Sequence, residues 1–421
     1  MRYIKKEWRL NSMLLQFRFK NFKSFADEAV LDMTATTIKE HSNTLIEKNG
    51  IKVLPLAAIF GANASGKSNI FSAFKSMQDD VLGYYDKDEK HNLIVPYIFD
   101  KNKKNEPTEY EVSINIDDDE YRYGFVRNKE RVLEEWLFEK KFLKNTKSKE
   151  KNIFYRDEKK VYPDKVNSTE RKELDYLGSM IKENELLLTS IGLRKKIKYS
   201  EVYKWFKKTS DFQNFSTDSR EYINTMAISK LLYNEESLKD EVVEILNKFD
   251  NSIIDLEIEE KEDIIFDEVY SVYTIHKDSE GNIVKLLLES ESSGTKKMFS
   301  LIVSLFLSLQ LGNVLWIDEL DAKLHPLILR YIIKMYGDKE LNVSNGQLIF
   351  SSHNLVCLDS SDLRRDEIWF VEKMNQVSNL YSLYDFRDDE NAVRSDLDFG
   401  KHYLSGRFGA IPFQEGEENG Q

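Results

Sequence analysis

Gly-Ala-Asn-Ala-Ser-Gly-Lys-Ser, residues 61–68, is the stretch that decides the fold of this 421-residue chain. The octapeptide fits the template G-x-x-x-x-G-K-[ST] of a phosphate-binding loop, or P-loop. Glycines let such a loop curl, so that successive backbone N–H groups point at phosphate oxygens. The lysine reaches the outer phosphates, and the serine hydroxyl can hold Mg²⁺. The loop therefore predicts a site for a nucleoside phosphate.

The sequence on both sides of the P-loop supports this interpretation. Leu56–Phe60 is a short apolar run that ends at the first glycine, as a buried strand does. The residues after the loop predict a helix, whose N-terminus adds partial positive charge. A glycine turn that matches by chance is the alternative, and the flanking strand and helix argue against it. The predicted nucleotide-binding residues are Gly61, Asn63, Ser65, Gly66, Lys67, Ser68 and Asn69, with Ser68 also a Mg²⁺ ligand.

A second motif supplies the carboxylates that a P-loop site needs. Residues 314–319 read Val-Leu-Trp-Ile-Asp-Glu, an apolar strand that ends in two acids and has the Walker B pattern. Asp318 is predicted to bind Mg²⁺ directly or through water. Glu319 is predicted to polarise the attacking water as a general base. An exposed acidic turn after a strand is the alternative, and a preceding P-loop makes it weaker.

Two further segments are candidates for the same site. His353 follows another short apolar run, where an imidazole could contact the γ-phosphate and the attacking water. A surface histidine after a strand is the alternative. Ser292–Lys297 precedes an apolar helix predicted for Met298–Leu311, and its small and basic residues favour anion binding over an ordinary N-cap. Because this helix leads into the Asp318 strand, a second phosphate nest at that edge suggests a nucleotide shared between two subunits.

Composition places the chain among globular proteins of a reducing compartment. Hydrophobic residues make up 41% of the chain, enough for real cores in two or three domains. The net charge of −12 argues against a general nucleic-acid or membrane coat but leaves a local basic groove open. The single cysteine, Cys357, excludes a disulfide framework. We expect a cytoplasmic protein without membrane contact, because no apolar stretch fits a signal peptide or a membrane span.

The order of patterns along the chain predicts an α/β protein in three parts. Residues 1–140 are predicted to be the N-terminal part of a head that carries the P-loop, with strands indicated by alternation in Leu15–Phe19 and around the acidic turn Asp117–Glu120. Residues 141–250 start with a lysine-rich stretch, interpreted as a linker, and continue with helical spacing, which predicts an inserted helical subdomain. Residues 251–421 alternate helix and strand and complete the head.

With its motifs in this order, the chain resembles the ABC/SMC-like ATPases. The segment Ser-Gly-Thr-Lys looks like a diverged ABC signature, Asp321 matches the D-loop position and His353 matches the switch histidine. The resemblance implies an α/β ABC/SMC-like P-loop ATPase head, with a mixed β-sheet and an inserted helical subdomain, that uses ATP and Mg²⁺. It implies that Glu319 and His353 are catalytic, that Asp318 binds the metal, and that further nucleotide contacts come from Ser293, Gly294, Thr295, Lys296 and Asp321.

The chain is also similar to the RloA-type, or abortive-infection AbiL-type, AAA ATPases of bacteria. The stretches that carry this similarity are residues 17–25, 60–69, 293–297, 318–326, 352–354 and 403–412. The similarity implies a cytoplasmic ATPase that forms a homodimer or a higher oligomer and acts with an effector protein encoded nearby, in phage defence. An ATP-hydrolysing switch is therefore the leading hypothesis.

Other functions stay open at this point. A DNA repair ATPase of the SMC/RecF kind would bind DNA through the basic runs Lys140–Lys151 and Arg194–Lys198, but the chain lacks a long coiled coil and a Cys-x-x-Cys hook. A nuclease with its own TOPRIM domain would need more than the 68 residues that follow His353. The long insertion between Ser68 and Ser292 disfavours a transporter ATPase. A non-enzymatic scaffold is disfavoured by the complete set of carboxylates.

Overall fold

The computed structural model describes residues 12–412 except for residues 85–94, 144–145, 148, 159, 195–197, 209, 215–228, 231, 262–268, 323, 389–390 and 395–396. The described strands of the two main sheets and the small sheets are β1 (Ser12–Lys20), β2 (Ala29–Asp32), β3 (Ile46–Lys48), β4 (Ile51–Val53), β5 (Leu56–Phe60), β6 (Thr108–Ile116), β7 (Asp119–Arg127), β8 (Val132–Leu143), β9 (Thr146–Lys147), β10 (Lys151–Asp157), β11 (Val161–Pro163), β12 (Ser210–Asn214), β13 (Asp255–Lys261), β14 (Val269–Lys277), β15 (Ile283–Leu287), β16 (Val314–Asp318), β17 (Gln347–Ser351), β18 (Ile368–Met374), β19 (Val377–Ser382), β20 (Arg387–Asp388) and β21 (Asn391–Ala392).

The described α-helices lie between these strands. They are α1 (Lys67–Leu82), α2 (Ser168–Met180), α3 (Leu187–Gly192), α4 (Ser200–Lys208), α5 (Glu236–Phe249), α6 (Ser293–Leu311), α7 (Pro326–Gly337) and α8 (Phe399–Leu404). In the described part of the chain, no helix has the length and apolarity that crossing a membrane requires.

One main sheet is antiparallel and contains the predicted N-terminal strands. Its strand order is β11-β10-β8-β7-β6-β1-β2, with β9 paired to β8. The alternation in Leu15–Phe19 correctly predicted β1, whose Phe17 lies opposite Leu31 on one side and Val112 on the other. The predicted hairpin is also confirmed, since β6 and β7 join through a turn in which Asp117 has a positive φ of 52°.

The other main sheet positions the candidate site. Its order is β12-β16-β17-β5-β18-β19, and every pair is parallel except β18 with β19. Strands β5, β16 and β17 are buried at every residue, as expected for parallel strands covered on both faces. Parallel pairing brings the carboxyl ends of β5, β16 and β17 to one edge, where polar side chains follow each strand.

Helix α1 packs between the two main sheets. The Phe74 ring stacks on Trp316 of the parallel sheet at 4.2 Å and contacts Phe17 of the antiparallel sheet edge-on at 5.2 Å. The side chain of Gln347, the first residue of β17, joins the two sheets by accepting from the Leu14 N–H at 2.7 Å and donating to the Leu14 carbonyl at 3.0 Å. These contacts fix the helix that follows the P-loop on a large aromatic core.

Two expectations about segment boundaries are wrong. The lysine-rich stretch interpreted as a linker is largely strand, because β8 continues to Leu143 and β10 begins at Lys151. Cross-strand charge pairing stabilises it, since Lys140 lies opposite Glu120 in the register of β7 and β8. The helix predicted from Met298 begins at Ser293, because the hydroxyl of Ser292 caps it.

Residues 141–250 contain the predicted helices and also parts of both main sheets. Helices α2, α3, α4 and α5 lie in this segment. Strands β10 and β11 extend the antiparallel sheet, while β12 pairs with β16 in the parallel sheet. The mixed α/β class is therefore confirmed, whereas the division into domains at residues 140 and 250 stays a prediction.

Candidate functional site

The P-loop connects β5 to α1 in a shape that only glycine permits at two positions. Gly61 and Gly66 have φ angles of +154° and +117°, which L-residues rarely adopt. A Cβ on Gly61 would lie 2.4 Å from the Val371 carbonyl oxygen, and one on Gly66 would lie 2.5 Å from Ser378 Oγ. The loop therefore lies directly against the hairpin of β18 and β19, with no room for a side chain between them.

Lys67 is the first residue of α1, and its side chain turns back onto the loop. Its Nζ donates to the carbonyl oxygens of Gly61 at 2.7 Å and Ala62 at 3.0 Å, and the residue is only 6% exposed. Burial lowers the pKa of Lys67 to about 8, although the nearby carboxylates of Asp318, Glu319 and Asp321 act to raise it. The charge of the P-loop lysine therefore interacts with the acids at and just after the end of β16.

The two Walker B acids are held in different ways at the end of β16. Asp318 is buried, and one carboxylate oxygen accepts a hydrogen bond from the Ser351 hydroxyl at 2.6 Å. Glu319 adopts a positive φ of 58°, and its N–H donates to the same Ser351 oxygen at 2.8 Å. A residue with left-handed backbone conformation directly after a strand changes the direction of the chain. Asp318 is therefore buried, whereas the neighbouring Glu319 is partly exposed.

His353 and Asp321 meet at the same edge. The backbone N–H of His353 donates to Oδ2 of Asp321 at 3.1 Å. The pKa of His353 is lowered, first by burial and next by the positive charge of Lys67, so the imidazole is neutral at neutral pH. The structure therefore brings together Lys67, the acids of residues 318–321 and His353, which come from three separate segments of the sequence.

A cleft of about 840 Å³ opens beside the P-loop. Its walls are the first half of the loop, His353, the turn between β18 and β19, and the C-terminal segment that includes Tyr403 and Ala410–Pro412. The Ala62 N–H donates to the Ala410 carbonyl oxygen at 3.0 Å, and the Tyr403 hydroxyl donates to that same oxygen at 2.9 Å. The C-terminal stretch is thus part of the wall of the candidate site.

The signature-like segment lies at the N-terminus of α6. Ser292 Oγ accepts from the Thr295 N–H at 3.1 Å, and Lys296 Nζ donates to the Glu289 carbonyl at 3.1 Å. Glu291 accepts from Thr274 and contacts His276 of β14, which fixes the segment on the three-stranded sheet β13-β14-β15. Ser293 is exposed and Gly294 is half-buried, so the start of the helix faces outward.

The remaining sequence-predicted positions have other surroundings. Asn63 of the P-loop and Ser68 of the first turn of α1 are exposed. The Asn69 side chain donates to Ser24 Oγ at 2.7 Å and is thereby directed towards the N-terminal strands. Ser24, Ser351 and Ser378 also lie at the site, although none of them belongs to a sequence motif. Ser351 carries a readable signal, because it ends an apolar strand next to a Walker B strand, whereas nothing in the sequence points to Ser378.

The residues present fit a magnesium nucleotide. Two buried polar atoms at this edge, Ser65 Oγ and Asp321 Oδ1, make no hydrogen bond within the described residues. A buried polar atom of this kind ordinarily has a partner, and phosphate oxygens, Mg²⁺ and its water ligands supply donors and acceptors of the right chemistry. Ser68 and Asp318 are the oxygen ligands that the motifs provide for Mg²⁺.

The family described as "AAA domain, putative AbiEii toxin, Type IV TA system" matches residues 56–359. The chain therefore belongs to this family of AAA domains, and its P-loop and Walker B strand are those of a nucleotide-binding ATPase family. The predicted α/β fold class of a P-loop ATPase is confirmed. A search of the curated proteins finds no match.

Several solved structures are similar to the chain at low identity. The SMC head domain from Thermotoga maritima is 15% identical, with a TM-score of 0.38, and the alignment covers 88% of this chain and 98% of that one. The Smc head domain with an extended coiled coil from Pyrococcus furiosus, bound to the C-terminal domain of ScpA, is 14% identical, with a TM-score of 0.45 and coverages of 88% and 96%. A Smc head domain with a coiled coil and joint from Pyrococcus yayanosii is 12% identical, with a TM-score of 0.43 and coverages of 94% and 99%.

Proposed function

We propose that this chain is an ATP-binding and ATP-hydrolysing switch of the RloA/AbiL type, which dimerises around nucleotide and controls a partner effector in bacterial anti-phage defence. The observation that carries the ATPase part is the convergence of Lys67, Asp318, Glu319 and His353 at one sheet edge beside the P-loop. Phosphoryl transfer to water uses a cation at the phosphates, an acid that holds the metal and a residue that orients the attacking water, and these four side chains can supply all three.

Each residue has a distinct role in this proposal. Lys67 and the P-loop backbone hold the outer phosphates, while Ser68 and Asp318 hold Mg²⁺. Bound Mg²⁺ would neutralise negative charge on the phosphates as a Lewis acid. Glu319 accepts a proton from the attacking water, as the general base. His353 has a lowered pKa and is therefore neutral, and its ring N–H can donate a hydrogen bond to the γ-phosphate or to the attacking water.

The signature-like segment supports the dimer part of the proposal. It is held by the three-stranded sheet rather than folded over the P-loop, and its first helical turn is exposed at Ser293. The N-terminus of α6 carries partial positive charge, to which Lys296 adds a full charge. Such an end is suited to the phosphates of a nucleotide bound by the P-loop of a second subunit, in a homodimer or a higher oligomer.

The family and the C-terminal segment support the defence part. The family description contains the words "putative AbiEii toxin, Type IV TA system". The stretch 403–412, which carries part of the RloA/AbiL similarity, lines the cleft beside the P-loop. This position would let nucleotide state reach a surface that an effector reads. A cytoplasmic location fits the single, buried thiol of Cys357.

The described ion pairs weigh against a DNA-binding groove. Within the basic runs, Lys140 lies 3.1 Å from Glu120 and Lys198 lies 3.2 Å from Asp119. Lys151 lies 3.8 Å from Glu139. These pairings reduce the positive potential that duplex DNA would meet. Salt-dependent binding to duplex DNA would restore the SMC/RecF-like alternative.

ATP binding and hydrolysis by the purified chain test the ATPase part, with two lysines of α1 as a matched pair. Lys67→Ala should abolish tight ATP binding, because the outer phosphates lose their cation. Lys75→Ala is the control, since Lys75 lies two turns further along α1 and pairs with Asp79. Hydrolysis by Lys67→Ala at the wild-type rate would exclude the assigned site. For the defence part, phage challenge of cells that carry the neighbouring gene should show protection with the wild type and none with Lys67→Ala.

A further inference from the structure

Four polar groups form a chain of hydrogen bonds that begins and ends in the P-loop region. Asn69 Nδ2 lies 2.7 Å from Ser24 Oγ, Ser24 Oγ lies 2.8 Å from Ser378 Oγ, and Ser378 Oγ lies 2.5 Å from the Ser65 carbonyl oxygen. Ser24, Ser65 and Ser378 are each less than a tenth exposed. These hydrogen bonds connect the start of α1 to the turn after β1, that turn to β19, and β19 back to the P-loop.

Donors and acceptors can be assigned along these hydrogen bonds. The Asn69 amide nitrogen can only donate, and the Ser65 carbonyl can only accept. The Ser378 hydroxyl is the donor towards both Ser24 Oγ and the Ser65 carbonyl oxygen, so its single proton is shared between two acceptors. Removal of the Ser378 hydroxyl therefore leaves the buried Ser65 carbonyl without this donor and Ser24 Oγ with Asn69 alone.

Both serines are held rigidly from outside the P-loop. Ser24 lies in a tight turn in which the N–H and carbonyl groups of Phe22 and Phe25 bond reciprocally at 2.9 Å. The Phe25 ring packs on Phe19 at 5.0 Å in the aromatic core. The Ser378 N–H donates to the Ser24 carbonyl at 2.8 Å, which joins β19 to that turn. The two hydroxyls therefore keep their positions independently of the loop.

The last bond of the chain orients one peptide group of the P-loop. The peptide between Ser65 and Gly66 is trans, so its carbonyl and its N–H point in opposite directions. Because the carbonyl is bonded to Ser378, the Gly66 N–H must point to the opposite side of the loop. Gly66, at φ +117°, has little intrinsic preference for this orientation. The hydrogen bond from Ser378 to the Ser65 carbonyl therefore fixes the orientation of the peptide.

We infer that Ser24 and Ser378 are positioning residues for nucleotide: through Ser65 they fix the Gly66 N–H in the direction in which it meets phosphate. The inference rests on the proposed ATP binding and adds residues from the N-terminal turn and β19 to the P-loop site. A preformed donor lowers the cost of ordering the loop around a ligand. It acts on the bound nucleotide and on the transition state alike, so it affects KM more than kcat.

The experiment compares Ser378→Ala with Ser382→Ala, two buried serines of β19. The Ser382 hydroxyl donates to Asp385 at 2.8 Å, outside the chain of hydrogen bonds. Isothermal titration with MgATP should give a dissociation constant roughly tenfold higher for Ser378→Ala and within about twofold of wild type for Ser382→Ala. KM should rise by the same factor, while kcat changes by less than about twofold.

A double-mutant cycle separates positioning from general damage. Because the Ser24 hydroxyl reaches the Ser65 carbonyl only by way of Ser378, Ser24→Ala combined with Ser378→Ala should weaken MgATP binding by no more than the stronger single variant. Additive losses, or equal affinities of Ser378→Ala and Ser382→Ala, would overturn the inference. Failure of the wild type to bind MgATP would instead remove the proposed function, so the two failures are distinguishable.

Discussion

The hydroxyl of Ser351 lies 2.6 Å from Oδ1 of Asp318, at the ends of two adjacent parallel strands. The same hydroxyl oxygen accepts the Glu319 N–H at 2.8 Å. The register of β16 and β17 makes this possible, because Ile317 lies opposite Phe350 and the next residue of each strand reaches the same edge. One serine therefore orients the proposed metal ligand and fixes the backbone of the proposed base.

Ser351→Ala should raise the Mg²⁺ concentration that hydrolysis requires. The variant removes a hydrogen bond to a buried carboxylate, an interaction that contributes about 1.5–3 kcal/mol. We expect the Mg²⁺ concentration for half-maximal activity to rise roughly tenfold, measured by titrating Mg²⁺ at saturating ATP. Ser344→Ala is the control, because the buried Ser344 hydroxyl donates to the Gln310 carbonyl before β17 begins. Equal Mg²⁺ curves for the two variants would contradict the role of Ser351.

ATP affinity should fall as the pH rises through about 8. The pKa of Lys67 is lowered to about 8, so the side chain is charged below this pH and loses its charge above it. Only the charged form attracts phosphate, and affinity should therefore fall by up to about tenfold per pH unit above the pKa. Calorimetry in buffers of different ionisation enthalpy should also show proton uptake on binding near pH 8. Affinity that stays constant from pH 7 to 9 would exclude this role.

Asp318 and Glu319 should give different phenotypes although they are neighbours. Glu319→Gln keeps the shape and the metal ligand Asp318 but removes the base, so hydrolysis should fall by roughly 10²–10⁴-fold while ATP stays bound. Asp318→Asn should lose Mg²⁺-dependent activity together with tight MgATP binding. Nucleotide retention measured by filtration distinguishes the two. Mild and equal effects would show that the roles are not divided in this way.

The sequence predicted the parts of the fold that local patterns encode. The P-loop, the Walker B strand and the alternation in β1 each occupy a few consecutive residues, so period and motif identified them. The lysine-rich end of β8 has the composition of a linker, and the structure shows why it is a strand: Lys140 pairs with Glu120 on the neighbouring strand. Cross-strand pairs of this kind are invisible until the register is known.

The same distinction applies to the candidate site. Lys67, Asp318 and His353 belong to recognisable motifs, and the parallel sheet places them at one edge as expected. Ser24 and Ser378 are joined by a hydrogen bond although they lie 354 positions apart in the sequence. Each looks like an ordinary polar residue in its own turn or strand. Only the packing of β19 on the turn after β1 shows that both serines lie next to the P-loop.

The shared-site arrangement predicts complementation between two inactive variants. Lys67→Ala disables the P-loop face, and Ser293→Arg blocks the exposed first turn of α6. In a mixed dimer, one composite site contains both lesions and the other contains neither, so the intact site should hydrolyse ATP. About half of the dimers in an equimolar mixture are mixed, if pairing is random. Activity should therefore reach roughly a quarter of the wild-type value, measured as steady-state hydrolysis after mixing.

The complementation experiment needs two controls, one for ATP binding and one for the formation of mixed dimers. Ser293→Arg alone should still bind ATP, because its own P-loop is intact, and pull-down of differently tagged subunits should confirm that mixed dimers form. Mixed dimers that remain as inactive as both parents would show that the α6 terminus acts within its own subunit or that both sites must act together. Loss of ATP binding by Ser293→Arg alone would select the first of these explanations, because a lesion on the partner-facing surface should leave the subunit's own P-loop unaffected.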